Sequence, residues 1–318
     1  MADLSQRILK LSPERARLLE SLKSRRAGAE SPIAPLAEAP SAPGPSARPT
    51  LSFHDDGAGS MEGRTKAMHR RFYDSVTTQL DASVFGAFSY FLNYGYVADI
   101  SPQHSRVELP EHYINRNSVK LVLETIGDCD VNGRRILDVG CGRGGTVHVL
   151  TTFFRQTSVT GVDLAPAAIA FCRKTHAGGR FEEADAENLP FPEESFDVVV
   201  NVESSHAYPN ILAFYRQVHR VLAPGGYFLY TDVLPAQTWD ACHLYFRQVD
   251  MSRERDQDIT ANVLLSCDQI AQTRVSAFDS GNDPELMANF LAVPGSEVYD
   301  SMLRKVWIYK ILRFHKPG

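Results

Sequence analysis

The stretch Arg135-Ile136-Leu137-Asp138-Val139-Gly140-Cys141-Gly142-Arg143-Gly144-Gly145 decides the fold. Its first five residues form a short, mostly apolar run of the kind buried on both faces of a parallel sheet, and the glycines that follow let the backbone turn tightly into a helix. Further runs of the same kind occupy residues 158–162, 179–183, 196–201 and 226–232, with helical stretches between the first three strands and over residues 211–222. This alternation predicts a doubly wound α/β domain. Residues 64–128 and 238–304 read as mostly helical, the former lying over the C-terminal edge of the sheet, and residues 305–312 read as a last strand.

Composition bounds the function. The chain has 318 residues, 43% of them hydrophobic and 22% charged, with a formal net charge of −5. These are globular values without the basic surplus of a nucleic-acid binder. Five scattered cysteines without a CxxC pair point away from a disulfide framework and a structural zinc site, toward a reducing cytoplasm, and no ligand cluster asks for a metal. No run approaches the roughly 18 apolar residues of a membrane span, and residues 1–26 interleave charges through their apolar positions, unlike a signal peptide. Six prolines in residues 27–60 mark a linker. Ahead of it, Ser12-Pro13-Glu14 opens a short amphipathic helix within residues 1–26, a candidate docking element.

The glycine spacing alone suits a dinucleotide fold equally well, so the neighbouring acids must discriminate. Asp138 precedes the first glycine by two residues, where it can meet a ligand bearing an ammonium and a sulfonium. Asp163 ends the second strand, where a carboxylate can accept from two ribose hydroxyls, and Asp185 follows the third, where it can accept from an adenine amino group. Gly144 and Gly145 are read equally as helix packing or ligand contact, and Asp232 as a loop cap rather than a pocket residue.

The segments ILDVGCGRGG, GVDLAP, EADAENLPFPEESFDVVVNVESSHAYPN and VLAPGGYFLYTD resemble the successive motifs of class I S-adenosylmethionine-dependent methyltransferases. Within that superfamily the run over residues 184–210 is most similar to the phthiotriol and phenolphthiotriol dimycocerosates O-methyltransferases and to free-standing O-methyltransferases that tailor polyketide and nonribosomal peptide products. The resemblance implies a Rossmann-like sheet of seven strands, the last antiparallel, with an N-terminal helical lid over residues 61–130. The core would span residues 131–318 and carry a helical, substrate-binding insertion at about residues 236–304. It implies S-adenosylmethionine as cofactor, bordered by Asp138, Gly140 and Gly142 at the methionine end. Asp163 and Leu164 would border its ribose and adenine, Asp185 and Ala186 the adenine edge, Asn201 the sulfonium, and Tyr73 with Tyr94 would reach it from the lid.

Methylation of an alcohol requires in-line alignment and removal of a proton. The segment after the fourth strand supplies His206, whose ordinary pKa of about 6.5 suits a general base, with Glu203 three residues earlier placed to orient the imidazole. Trp239, His243, Tyr245 and Phe246 are candidates for acceptor selection. The expected reaction is O-methylation of a polyketide- or peptide-type secondary metabolite, a small molecule or a carrier-bound acceptor. A carbon or nitrogen acceptor keeps the same cofactor. A noncatalytic partner docked on a biosynthetic megasynthase is a different class, supported by Ser12-Pro13-Glu14-Arg15, which resembles the leader before condensation domains. A nicotinamide dehydrogenase is disfavoured by Asp138 and the segment around Asp185.

Overall fold

In the computed structural model, residues 60–318 are described, apart from 84–85, 99–106, 108, 157 and 279–281. The helix and linker expected within residues 1–59 lie outside the described residues. Seven strands form one sheet: β1 (Arg135–Val139), β2 (Ser158–Asp163), β3 (Arg180–Glu183), β4 (Phe196–Val202), β5 (Leu222–Pro235), β6 (Ser252–Asp258) and β7 (Trp307–His315), in the order β3-β2-β1-β4-β5-β7-β6. The first five pair in parallel, and β7 runs antiparallel to both β5 and β6. The doubly wound reading holds. The order reverses beside β1, between β1 and β4, and ligands of open α/β sheets bind at such a switch point.

Alternating side chains explain why these strands read as apolar runs. Ile136, Val198 and Val200 face one core, with α2 (Arg116–Ile126), α3 (Gly145–Phe153) and α7 (Thr260–Val275) against it. Leu137, Val139 and Val199 face a second, covered by α5 (Ile211–Val221) and α6 (Ala236–Gln248). Helix α4 (Pro166–Thr175) contributes Ile169 and Cys172 to the first core.

A third, separate core joins α1 (Met61–Ala82) to α8 (Pro284–Phe290). Phe72, Val76 and Leu80 of α1 pack on Met287 and Leu291, and Phe72 meets Phe290 edge to face at 5.1 Å. Gln79 and Asn282 exchange amide hydrogen bonds of 2.9 and 2.7 Å. The lid is thus α1 with α8. Helix α2 buries Ser118 to Ile126 in the first core and belongs to the body, so residues 61–130 divide between the two.

The insertion before the last strand also differs from an all-helical reading. It contains α6, α7, α8 and α9 (Glu297–Leu303), but also the edge strand β6. Ser252–Asp258 carries no apolar residue, which is how a long edge avoids pairing with another chain, and it lacks the period-two signature. Its ladder is supported by charge pairs to β7, Lys310 with Asp256 at 3.0 Å and Arg313 with Glu254 at 3.1 Å. Among the described residues no helix is long and apolar enough to cross a membrane.

Candidate active site

At the C-terminal ends of β1, β2, β3 and β4 lies a cleft of about 1290 Å³, open to solvent and roofed by α1 and Phe290 of α8.

The floor is the glycine turn. Gly140, Gly142 and Gly144 adopt φ of +71°, +50° and +79°, and the Gly140 and Cys141 amides donate to Val162 O at 2.8 and 2.9 Å. A Cβ on Gly140 would stand 2.2 Å from Ser204 Oγ and 2.6 Å from Tyr208 OH. Gly140→Ala is therefore expected to lower stability by about 1–3 kcal/mol through strain and displaced side chains, read as a fall in the thermal unfolding midpoint. Gly144 is a packing glycine, since a Cβ there would meet the His176 ring at 2.5 Å; Gly145 lines the cleft.

Three strand-end acids converge here, but not as three equal walls. Asp163 lines the cleft, its Oδ2 accepting from Gly142 N at 2.8 Å and its Oδ1 from Ala165 N at 2.9 Å. Burial raises its pKa despite these donors, and each oxygen retains a second acceptor site. Asp185 lines the far end, its Oδ2 held by Lys66 of α1 at 2.7 Å. Asp138 is 1% exposed and contributes no surface to the cleft; its Oδ2 accepts no hydrogen bond, and burial together with the Asp163 charge pushes its pKa up to about 8. Asn201 is likewise buried: its Nδ2 donates to Val139 O at 2.9 Å and Ser204 Oγ at 2.7 Å, bracing the floor. Leu164, Ala186 and Tyr73 line the cleft.

The opposite end gathers His206, Glu203, Tyr73, Tyr94 and His69. The partner of His206 is Asp232, not Glu203. Asp232 is fully buried within β5, and its Oδ1 lies 2.8 Å from His206 Nδ1. Asp232 also accepts from Ser205 Oγ at 2.6 Å, from His206 N at 3.1 Å and from Val233 N at 2.7 Å. The loop-cap reading of Asp232 is corrected accordingly: it caps the turn Ser205–Ala207 across the sheet and holds the imidazole. A carboxylate only accepts, so Nδ1 is the donor and Nε2 carries the lone pair. Burial opposes charge on His206, but the adjacent Asp232 carboxylate, with Glu203 adding to it, sets its pKa above the ordinary 6.5. On the lid, burial and the His206 charge hold His69 at about 4, so it is neutral.

Glu203 lies in the left-handed region at φ +52° and faces away from the role of orienting the imidazole. Its Oε2 accepts from Tyr94 N at 2.8 Å and, in a very short bond, from Tyr309 OH. Trp239, His243, Tyr245 and Phe246 do not line the cleft. Trp239 and Phe246 are buried in the second core, Tyr245 packs against it, and His243 sits at the surface beside Arg253 and Asp256.

Two features escape sequence reading. Arg143, fully buried beside the glycine turn, donates to Ser89 O at 2.6 Å, Gly86 O at 2.9 Å and Thr77 O at 3.2 Å, and pairs with Asp81 at 2.7 Å. It ties the turn to the end of the lid. Lys66 and Arg70 of α1 reach down to Asp185, Glu187 and Glu183 at 2.7, 2.5 and 2.6 Å. Their spacing with Tyr73 and Thr77, one helical face, was the available signal.

Residues 137–230 match the family described as Methyltransferase domain. The chain is 49% identical to a fatty-acid O-methyltransferase of Mycolicibacterium smegmatis, over 72% of this chain and 84% of that one. It is 39% identical to a probable phthiotriol/phenolphthiotriol dimycocerosates methyltransferase of Mycobacterium ulcerans, over 56% of this chain and 69% of that one. The fold is similar to that of the cyclase SpnF, with TM-score 0.59 and 20% identity over 79% of this chain and 96% of that one. It is also similar to geranyl diphosphate C-methyltransferase from Streptomyces coelicolor, with TM-score 0.56 and 15% identity over 79% and 98%. These two likenesses concern the fold alone, and their different chemistries illustrate why a site must be argued from its residues.

Proposed function

Because the chain belongs to the S-adenosylmethionine-dependent methyltransferases, we propose that it methylates a hydroxyl oxygen of a large, partly apolar, polyketide-type lipid, with His206 as general base held by Asp232. The observation that carries this reading is the 2.8 Å contact between His206 Nδ1 and Asp232 Oδ1 at the cleft wall.

The residues present fit the cofactor. An orphaned, buried Asp138 Oδ2, a glycine floor that a Cβ would fill, and Asp163 and Asp185 along one cleft form an acid-bearing cradle suited to a cationic nucleoside. Gly140, Gly142, Asp163, Leu164, Asp185 and Ala186 would hold it, and Asn201 would act from below through Ser204 and Tyr208. When bound, the cofactor supplies a methyl group on a sulfonium that departs as a neutral thioether. The protein's share is to exclude water beneath α1, to hold the acceptor under Tyr73 and His69, and to take the hydroxyl proton at His206 Nε2. Proximity of this kind is worth about 7–11 kcal/mol and a base about 10²- to 10⁴-fold.

A carboxylate acceptor is the second reading, favoured by the name of the 49% identical relative. The two readings predict opposite pH profiles. A hydroxyl acceptor needs neutral His206, so kcat/KM should rise with pH through a midpoint above 6.5, falling tenfold per pH unit well below it. An ionised carboxylate needs no base and would pair with protonated His206, so the rate should fall through the same midpoint. Rates from pH 5.5 to 9 on a long-chain hydroxylated lipid and on a fatty acid decide between them. Incubation with labelled cofactor and an extract of the source cell, followed by mass spectrometry, identifies the acceptor. A megasynthase-bound acceptor would show as label on a carrier.

A further inference from the structure

One of the hydrogen bonds to Asp232 opens onto a row of hydroxyls that the proton-removal step leaves unused. Oδ1 of Asp232 accepts from Val233 N and His206 Nδ1, and Oδ2 accepts from His206 N and Ser205 Oγ. Behind Ser205 stands Tyr230 OH at 2.6 Å, and Tyr215 OH donates to Tyr230 OH at 3.2 Å. Cys242 Sγ closes the row, 3.2 Å from Tyr215 OH. Ser205 of the turn after β4, Tyr230 of β5, Tyr215 of α5 and Cys242 of α6 are all buried. A carboxylate only accepts, so Ser205 directs its single proton at Asp232 and must accept from Tyr230, which in turn accepts from Tyr215. Because the row ends at a buried thiol, it gives protons no way out to solvent. What it can do is polarise, each bond in such an aligned chain strengthening the next by about 10–30%.

We propose that Ser205 and Tyr230 are positioning residues acting through Asp232: their aligned hydroxyls draw off part of its charge and so set how tightly the His206 imidazole holds a proton. The inference deepens the reading of His206 as base and takes its catalytic meaning from that reading. Burial opposes a charge on His206, and the Asp232 carboxylate overrides it. Every donor that shares the carboxylate's charge weakens that pull and keeps more of the imidazole neutral, ready to accept a proton near pH 7. The other titratable groups facing this pair are His69 and Tyr73 of α1, Glu203 and Tyr208 after β4, and Tyr309 of β7.

Titration of the histidine rings by NMR tests this on the full chain without ligands, the His206 signal being the one lost in His206→Gln. Ser205→Ala removes only the hydroxyl and should raise the His206 midpoint by about 0.5 to 1 pH unit. Below the midpoint, kcat/KM on a hydroxyl acceptor should then fall about three- to tenfold, with the affinity for S-adenosylmethionine unchanged. Tyr230→Phe keeps the ring and should raise the midpoint by about 0.1 to 0.3 pH unit. In a Ser205→Ala background it should add nothing, because Tyr230 reaches Asp232 only through Ser205. A midpoint that stays or falls in either single variant overturns the proposal. So does a Tyr230→Phe shift of equal size with and without the Ser205 hydroxyl, which would belong to packing. No acceptor enters the titration, so the two readings fail separately. Raised midpoints in an enzyme indifferent to His206→Ala would sink the general base and leave the hydroxyl row standing, and unmoved midpoints in an enzyme that depends on His206 would do the reverse.

Discussion

His206→Ala is expected to lower kcat on a hydroxyl acceptor about 10²- to 10⁴-fold, with little change in the affinity for S-adenosylmethionine. The split follows from position. His206 follows β4, three strands across the sheet from β3, after which Asp185 is held by Lys66. The variant should also lose the rising limb of the pH profile, which a merely structural histidine would leave in place. Asp232→Asn probes the same unit differently. The amide keeps an acceptor for the Ser205 hydroxyl and the His206 N–H, but where Oδ1 stood it presents a donor, so Val233 N loses its acceptor while His206 Nδ1 can become the acceptor and Nε2 the protonated atom. Activity should fall toward that of His206→Ala, and the double variant should be scarcely worse than either, since the two residues act as one. Full activity in His206→Ala, measured as single-turnover rate on the natural acceptor, would remove the general-base reading.

Arg143→Ala is expected to cost about 3–5 kcal/mol of stability and to loosen cofactor binding. Three backbone carbonyls, Thr77 O, Gly86 O and Ser89 O, lose their donor, and an unsatisfied buried acceptor costs about 1 kcal/mol or more each. The guanidinium also stacks 3.5 Å from the Phe171 ring centroid, worth about 1–2 kcal/mol when desolvated. Asp81, at 49% exposure, can rehydrate, so loss of that ion pair adds little. For a domain of this size, 1 kcal/mol moves the unfolding midpoint by about 2–4 °C, so a drop of about 10 °C is expected. Arg143→Lys should not rescue it, because one ammonium cannot span three carbonyls in fork geometry. A variant that melts like the parent would show that the glycine turn is held by Cys172, His176 and the sheet alone.

How far the site is legible in the sequence depends on distance along the chain. The glycine turn, Asp163, Asp185 and His206 each follow a strand by a few residues, so locating the strands locates them. Glu203 is found for the same reason, but its role is misread. A helical spacing of three suggests contact with His206, whereas the positive φ turns its carboxylate to Tyr94 and Tyr309, 109 and 106 residues away. The partner of His206 is missed because it sits on β5, 26 residues on. Arg143 is missed because a charged residue in a glycine loop reads as solvated, and only the tertiary fold reveals the carbonyls that receive it. β6 is missed because its seven polar residues carry no apolar alternation at all.

By itself, then, the sequence determined the alternation of buried strands and helices, the glycine turn after β1 and the acids that end the strands. Periodic burial is a local property that each residue writes into its own polarity. The tertiary structure alone decided which of those groups touch. Register set Val202 beside Thr231 and so brought Asp232 under His206, and a separate apolar core placed Lys66, His69 and Tyr73 over the cleft. Such pairings are fixed by the packing of elements far apart in the chain, which no local pattern encodes.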